Sequence, residues 1–161
     1  MGEVISNTSP LLYLYRSGAI DWLPNLFGEI WVPEAVVGEL REGKNRGYDV
    51  PDPGRYSWIT VRNPSHMPSA WLAVDLGLGE IAAISLALEH PGCLLLLDDA
   101  LARRTAQAAG LNTWGTLRIL LESKKQGLTR EIKSYVKHLE EAGLWLSDDL
   151  SQRILNLAGE K

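Results

Sequence analysis

An unbroken apolar run that ends on two adjacent aspartates, CLLLLDD at residues 93–99, constrains the fold of this chain more than any other feature. Pro91 and Gly92 precede the run, and an alanine-rich segment follows it. A short apolar run with such boundaries predicts a strand that is buried on both faces, as strands of a parallel sheet are. The run therefore favours an α/β fold.

The two aspartates at the end of this strand are candidates for chemistry. In open α/β sheets the carboxyl ends of the strands face the crevice where ligands bind, so we expect Asp98 and Asp99 to project there. The structural alternative is that one of them only caps the helix that starts near Ala100, by accepting a hydrogen bond from a backbone N–H. Capping accounts for one aspartate and leaves the second for function.

Strand and helix patterns alternate along the whole chain. Strands are predicted at residues 4–6, 29–32, 58–61, 93–99 and 111–114, the third at an edge of the sheet. Helices are predicted at residues 10–17, 21–26, 34–41, 80–88, 100–109, 117–125 and 130–141, and after Ser147. This order predicts a three-layer sandwich with a central, mostly parallel sheet, helices on both faces and right-handed crossovers.

Length and composition limit the remaining possibilities. A chain of 161 residues and 17.8 kDa predicts a single domain over residues 1–161, which buries roughly two-thirds of its unfolded surface without disulfides. The single Cys93 lies in the apolar run and is interpreted as a core residue. No run approaches the roughly 20 apolar residues that span a bilayer, and no signal peptide is visible, so we expect a cytoplasmic protein without membrane contact.

Three further polar residues fall at informative places. Asn7 directly follows the first predicted strand, and the turn after it contains Thr8 and Ser9, either of which can cap a helix whose first residue is Pro10. Glu39 falls on the apolar row of its predicted helix, where the alternative is a solvated edge position. Glu80 opens a helix that is apolar nearly all round, where the helix dipole alone would stabilise an acid by about 0.3–1 kcal/mol.

These polar residues would gather at the carboxyl edge of the predicted sheet. Carboxylates about 4 Å apart repel by roughly 4 kcal/mol at an effective dielectric of 20, so such a cluster implies a bound cation. Oxygen ligands favour Mg²⁺ or Mn²⁺, and the chain has no set of Cys and His residues that would hold zinc. A water on Mg²⁺ that is polarised toward hydroxide can attack a phosphodiester.

Six sequence segments carry a resemblance to a known family. They are VISNTSPL, VPEAVVGEL, GLGEIAAISLAL, LLLLDDALARRTAQAAGL and the GT and SKKQGL segments, in that order and over nearly the whole chain. The sequence resembles the PIN-domain nucleases, and within them the VapC-like toxin branch of toxin–antitoxin pairs. The resemblance places the acids of the family at Asn7, Glu39, Glu80 and Asp99, with Asp98 as a neighbour that could substitute. Asn7 departs from the pattern, because the family usually has aspartate there.

The resemblance implies a metal-dependent endoribonuclease that cleaves single-stranded RNA by metal-activated water. It implies Mg²⁺ or Mn²⁺ on Glu39, Glu80, Asp99 and Asn7, a small antitoxin protein as partner, and a homodimer. The alternative is a catalytically degenerate module that binds RNA or protein, since the amide of Asn7 brings no charge to a metal. A phosphoacceptor receiver domain would share the aspartate pair, but no aspartate stands at a later strand end to take the phosphate.

Basic residues near the expected site could hold an RNA backbone. We expect this role for Arg103, Arg104, Lys124 and Lys125, together with the hydroxyls of Thr8 and Ser9, although solvated surface charge is the simpler explanation for any one cation. The net charge of −4 and the pI near 5.4 argue against a general nucleic-acid coating protein. They leave room for a nuclease with a local basic rim.

Overall fold

The computed structural model describes residues 2–68 and 75–161. Its five strands are β1 Val4–Ser6, β2 Ile30–Val32, β3 Ile59–Val61, β4 Leu94–Leu96 and β5 Asn112–Trp114. The α-helices of the described residues are α1 Thr8–Arg16, α2 Trp22–Phe27, α3 Glu34–Asn45, α4 Leu78–Leu88, α5 Ala100–Ala108, α6 Thr116–Lys125, α7 Lys133–Glu141 and α8 Asp148–Leu157. A short 3₁₀ helix, Pro53–Arg55, precedes β3.

The strands form one sheet in the order β3-β2-β1-β4-β5, and every neighbouring pair is parallel. The predicted parallel α/β sheet is therefore confirmed, with β3 at an edge as expected. The central strands β1 and β4 run in register, with Ser6 opposite Leu96. The chain runs from β1 to β2 and β3 on one side of β1, and then crosses to β4 and β5 on the other side. The crevice between the ends of β1 and β4 is therefore the topological switch point of the sheet.

Side chains of the central strands alternate between two separate cores. Val4 and Leu96 face the core formed with α1, α6 and α7, whereas Ile5 and Leu95 face the core formed with α4 and α5. All four side chains are 3% exposed or less. This alternation is the reason why the strands read as continuous apolar runs, and it confirms the three-layer arrangement.

Several element boundaries differ from the sequence prediction. Helix α3 continues to Asn45 rather than ending near Arg41, and an ion pair between Glu42 and Arg46, at 2.9 Å, supports its last turn. Helix α7 begins at Lys133 rather than Arg130, because the side chain of Glu131 accepts hydrogen bonds from Ser134 just ahead of the first turn. These differences lie at element ends, where local hydrogen bonds decide the last turn.

The start of α1 also corrects the prediction. Asn7, and not Thr8 or Ser9, occupies the cap position, and Thr8 is the first helical residue. Pro10 consequently lies in the third helical position, where it is tolerated because the first four N–H groups of a helix lack partners inside it. Across the described ranges, no helix is long and apolar enough to cross a membrane.

Candidate active site

The switch point between β1 and β4 brings together the residues that the sequence singled out. The backbone N–H of Asn7 donates to the carbonyl of Leu96 at 3.0 Å, which ties the residue after β1 to the end of β4. Asp98 and Asp99 leave the same end of β4 immediately afterwards. The chain therefore reaches the crevice from two adjacent strands, while α3 and α4 contribute side chains from one side.

Asn7 is the most unusual residue of this crevice. It occupies the cap position of α1 with extended backbone, yet its side chain accepts no hydrogen bond from the helix. The residue is 3% exposed, and its Oδ1 has no hydrogen-bond partner within the described part of the chain. A buried amide oxygen without a partner costs about 1–3 kcal/mol, so a cation or a hydrogen-bond donor that entered the crevice at this atom would be stabilised.

Glu39 lies next to Asn7 and is held by α1. The hydroxyl of Thr8 donates to Oε1 of Glu39 at 2.6 Å, so the first residue of α1 fixes the carboxylate of α3. Glu39 reaches this place because it lies on the apolar row of α3, whose members Val36 and Leu40 are buried in the core. The second oxygen, Oε2, lies on the side of Gly77.

Gly79 allows this close approach. It is buried in the first turn of α4, and a Cβ atom there would overlap the carboxylate of Glu39 and lie 3.1 Å from Oδ1 of Asn7. Sequence reasoning gave this glycine no role. The signal was present, however, because a glycine inside a helix costs roughly 0.5–1 kcal/mol relative to alanine and so calls for a packing reason.

Glu80, the next residue, faces the same crevice. Its Oε1 accepts a hydrogen bond from the N–H of Gly77 at 3.0 Å, which supports the start of α4. Burial raises the pKa of the Glu80 carboxyl, the Gly77 bond lowers it, and the negative charges of Asp99 and Glu39 raise it further. Asp99 and Glu39 are thus close enough to Glu80 to influence its ionisation.

Asp99 caps α5 and remains accessible. Its Oδ2 accepts the N–H of Ala102 at 2.9 Å, while the residue as a whole is exposed. The cap uses one carboxylate oxygen and leaves Oδ1 available at the crevice. The capping interpretation is therefore confirmed for Asp99, while its functional role stays a prediction.

Asp98 corrects the argument that capping could account for only one aspartate. Its Oδ1 accepts the N–H of Thr116 and its Oδ2 accepts the hydroxyl of Thr116, both at 2.7 Å. Asp98 therefore caps a second helix, α6, whose first residue is Thr116. Burial raises the pKa of Asp98, while the two bonds from Thr116 and the nearby Arg103 lower it. Because both oxygens are engaged, Asp98 is poorly placed to substitute for Asp99.

The carboxylates of the crevice do not form a closed metal cage. Over residues 2–68 and 75–161, no group of three or more His, Cys, Asp and Glu side chains is close enough together to hold a metal ion by itself. The sequence predicted a compact acidic cluster, and that prediction is therefore too strong. The donors present still fit a divalent cation such as Mg²⁺ or Mn²⁺, because Asn7 Oδ1 has no partner among residues 2–68 and 75–161 and these ions often use one or two carboxylates and keep several waters.

The predicted RNA-contacting cations divide into two groups. Arg103 and Arg104 lie on α5 near the crevice, and Nη1 of Arg103 is 3.6 Å from where a Cβ of Gly115 would lie. Lys124 donates instead to the carbonyl of Ala158 at 2.6 Å and to Glu160 at 2.8 Å.

Lys125 is likewise placed away from the crevice, since it pairs with Glu122 at 3.5 Å. Lys124 and Lys125 stand at the far end of α6, about 12 Å from Thr116 at 1.5 Å per residue. The two lysines therefore lie away from the crevice itself, and their contact with RNA stays a prediction. The hydroxyl of Thr8 holds Glu39, as described, and Ser9 is partly buried in the same turn.

Comparison with known proteins agrees with this geometry. A family model, DUF3368, described as a PIN domain, matches residues 3–160. No match was found among curated proteins or among solved structures. PIN domains are generally nucleases that use divalent metal ions. The match spans nearly the whole chain, and this chain therefore belongs to the PIN-domain family.

Proposed function

We propose that this PIN domain is a Mg²⁺- or Mn²⁺-dependent endoribonuclease that cleaves single-stranded RNA. The observation that carries the proposal is the buried Oδ1 of Asn7, which has no partner among the described residues and lies beside the Glu39 carboxylate. A metal ion, or a water bound to it, would satisfy this oxygen and reduce the repulsion among Glu39, Glu80 and Asp99.

The open arrangement of the acids fits an ion that binds together with the substrate. Mg²⁺ is commonly held by one or two carboxylates, several waters and the phosphates of the substrate. Weak binding to the protein alone and tighter binding with RNA are therefore expected. The amide of Asn7 would ligate the ion or hydrogen-bond one of its waters, without contributing charge.

Each residue of the crevice would have a distinct task in hydrolysis. A bound ion would supply a polarised water and would neutralise charge that develops on the phosphate. Asn7 and Glu39 would hold the ion from the β1 side, with Thr8 fixing the rotamer of Glu39. Asp99 would face it from the end of β4. Glu80, whose pKa is raised mainly by burial, would accept a proton more readily than an ordinary glutamate.

Replacing Asp99 by alanine tests this assignment. We expect the Asp99→Ala variant to lose more than about 100-fold in cleavage rate, since removing even the partners of metal ligands costs 10–100-fold. The lost cap of α5 should lower the free energy of unfolding by only about 1 kcal/mol. Cleavage is measured on a mixed single-stranded RNA pool with Mn²⁺, and unfolding with urea.

A matched control for this variant is Asp52→Ala. Asp52 also caps a short helix through its side chain, by accepting the N–H of Gly54 at 3.0 Å, but it precedes β3 at one edge of the sheet. The control should cut RNA at the wild-type rate. If Asp99→Ala cleaves RNA as fast as wild type does, Asp99 does not take part in cleavage.

A second candidate function is a module that binds RNA or protein without cutting. Asn7 favours it, because the amide replaces a charge that the family usually supplies. This reading predicts that no divalent ion changes the fate of RNA bound to the chain. It shares the fold with the nuclease and differs from it only at the chemical step.

We extend the proposal to the biological role that the resemblance implies. In this role the chain is the toxin of a toxin–antitoxin pair, acts in the cytoplasm as a homodimer, and is held in check by a small antitoxin protein. A short open reading frame for a small helical protein beside the gene would support it. Co-expression of that protein should suppress RNA cleavage by the purified complex.

A further inference from the structure

A groove between α5, α6 and α8 shares Asp98 and Asp99 with the crevice. Its volume is about 580 Å³, and its lining includes Asp99, Arg103, Thr116, Trp145, Leu150 and Arg153. Asp99 lines the groove and also belongs to the proposed site. Whatever occupies the groove can therefore be continuous with a substrate held at Asp99.

The outer part of the groove exposes large apolar side chains. Trp145 is 83% exposed, Leu157 is 63% exposed and Leu150 is 40% exposed. Large apolar side chains that gather on a surface in this way mark a binding site for a ligand or a macromolecular partner.

The Trp145 indole stands on well-anchored backbone between α7 and α8. The N–H of Leu144 donates to the carbonyl of Leu139 at 3.0 Å, and Ser147 caps α8 by accepting the N–H of Leu150 at 3.1 Å. The side chains of Leu144 and Leu146, on either side of Trp145, are partly buried against the core. Trp145 is thus a flat apolar surface presented at a fixed place.

Three arginines and two aspartates line the groove, so its lining has a small positive excess in a chain whose net charge is −4. Arg103, Arg118 and Arg153 line it. Within the described residues, Nε of Arg103 is buried without a partner, and Arg153 takes part in no ion pair. Arg118 lies 4.7 Å from the ring of Trp114 and also pairs with Glu122.

A ligand that matches this groove needs flat apolar rings and negative charges in alternation. Single-stranded nucleic acid has this chemistry, because its bases stack on aromatic side chains and its phosphates pair with arginine. An acidic amphipathic protein segment would match the charge as well. The nucleic acid is favoured because Asp99 lines the groove, and the proposed function places the scissile phosphate at Asp99.

We propose that this groove binds the RNA strand beside the scissile phosphodiester, with one base stacked on Trp145 and a phosphate on Arg153. The inference rests on the proposed function for the position of the scissile bond. Binding can nevertheless be measured without cleavage, so the two proposals can fail separately.

The test is the anisotropy of a short fluorescent single-stranded RNA of mixed sequence, titrated with the full chain in EDTA at low salt. Trp145→Ala should weaken binding roughly tenfold, within the range of about 5- to 100-fold that the loss of one stacked base produces. Trp145→Phe should retain most of the affinity. A strand that lacks bases should bind wild type and Trp145→Ala equally.

Arg153 is tested by its effect on salt dependence. Arg153→Ala should lower the slope of log affinity against log salt by about 0.7, the value for one phosphate contact on a single strand. Arg55→Ala is the matched control, since Arg55 is 80% exposed in the 3₁₀ helix before β3 and does not line the groove. Leu88→Ala, 51% exposed at the end of α4, controls for the loss of an exposed apolar side chain.

Two results would overturn the inference. The first is that the wild-type protein fails to bind the RNA at low salt. The second is that the Trp145→Ala variant binds the RNA as tightly as wild type does. Because Trp145 is so exposed, the melting temperature of its variants should stay close to that of wild type. Binding through Trp145 without metal-dependent cleavage would uphold the groove and refute the nuclease. Cleavage that is indifferent to Trp145 and Arg153 would uphold the nuclease and refute the groove.

Discussion

Replacing Gly79 with alanine is expected to reduce metal-dependent RNA cleavage by more than about 100-fold while leaving the fold intact. A Cβ atom at this position would lie 2.9 Å from Cδ of Glu39, well inside contact distance, and 3.1 Å from Oδ1 of Asn7. The side chain of Glu39 is long and exposed, so it can move away at little cost. Its move would break the hydrogen bond from Thr8 and take the carboxylate out of the crevice.

The effect on stability should be small because two contributions oppose each other. Alanine is a better helix former than glycine by about 0.8–1.0 kcal/mol in a helix interior. The displaced Glu39 loses one hydrogen bond, worth about 0.5–1.5 kcal/mol. We therefore expect the free energy of unfolding to change by less than about 1 kcal/mol, measured with urea. Such a combination of lost activity and retained stability separates a functional glycine from a structural one.

Gly38→Ala provides the matched control for this substitution. Gly38 is also a glycine inside a helix, directly before Glu39, but a Cβ there would meet no atom within 4 Å. The control should be slightly more stable than wild type and should cleave RNA at the same rate. If Gly79→Ala also cleaves at the wild-type rate, Glu39 does not act in the crevice.

Replacing Asp98 with alanine should lower the free energy of unfolding by about 2–4 kcal/mol, the largest stability effect that we expect from the site. Thr116 is fully buried, and the substitution would leave its N–H and its hydroxyl without the acceptors they now use at 2.7 Å. Each unsatisfied buried group costs about 1–3 kcal/mol. Urea unfolding at pH 7 measures the loss.

Asp98→Asn is the matched variant, because an amide can accept from the N–H of Thr116 and donate to its hydroxyl. We expect it to stay within about 1 kcal/mol of wild type near pH 4. Burial raises the pKa of Asp98, so the folded chain holds that proton more tightly than the unfolded chain does. The resulting stabilisation is complete below the unfolded pKa of about 3.9 and is lost as the pH rises through the folded value.

The amide of Asp98→Asn does not titrate in this range. The free energy of unfolding of this variant should therefore rise relative to that of wild type as the pH rises from about 4 to 7. A full loss of 2–4 kcal/mol in Asp98→Asn at pH 7 would contradict this account of the Asp98–Thr116 contact. Equal stability of Asp98→Ala and wild type would contradict it too.

The sheet, and the positions of Asn7 and Asp99 at the ends of its central strands, could be predicted because their signals are local. Each central strand alternates between two cores, so Leu94–Leu96 had to read as an unbroken apolar run. Asn7 and Asp99 follow central strands directly, and the end of a parallel strand is a fixed place in the fold. Glu39 and Glu80 were visible as acids on otherwise apolar faces of their helices.

The remaining features depend on contacts between distant parts of the chain. Thr116 follows Asp98 by 18 residues, and only the order β1-β4-β5 in the sheet shows that the start of α6 meets the end of β4. The role of Gly79 depends on how closely α3 approaches α4. The contacts of Lys124 could not be predicted because the sequence does not show that Glu160, near the end of the chain, lies against α6.

The central claim is that the crevice at Asn7 binds a divalent metal ion and hydrolyses RNA. The most direct measurement compares wild type and Asn7→Asp on one mixed pool of single-stranded RNA with Mn²⁺, with EDTA in parallel. We expect both proteins to cleave only with metal, and Asn7→Asp to need less Mn²⁺, since an added carboxylate favours the ion more than it adds repulsion once the ion is bound. RNA left intact by both proteins in Mn²⁺ would contradict the nuclease and leave the binding module.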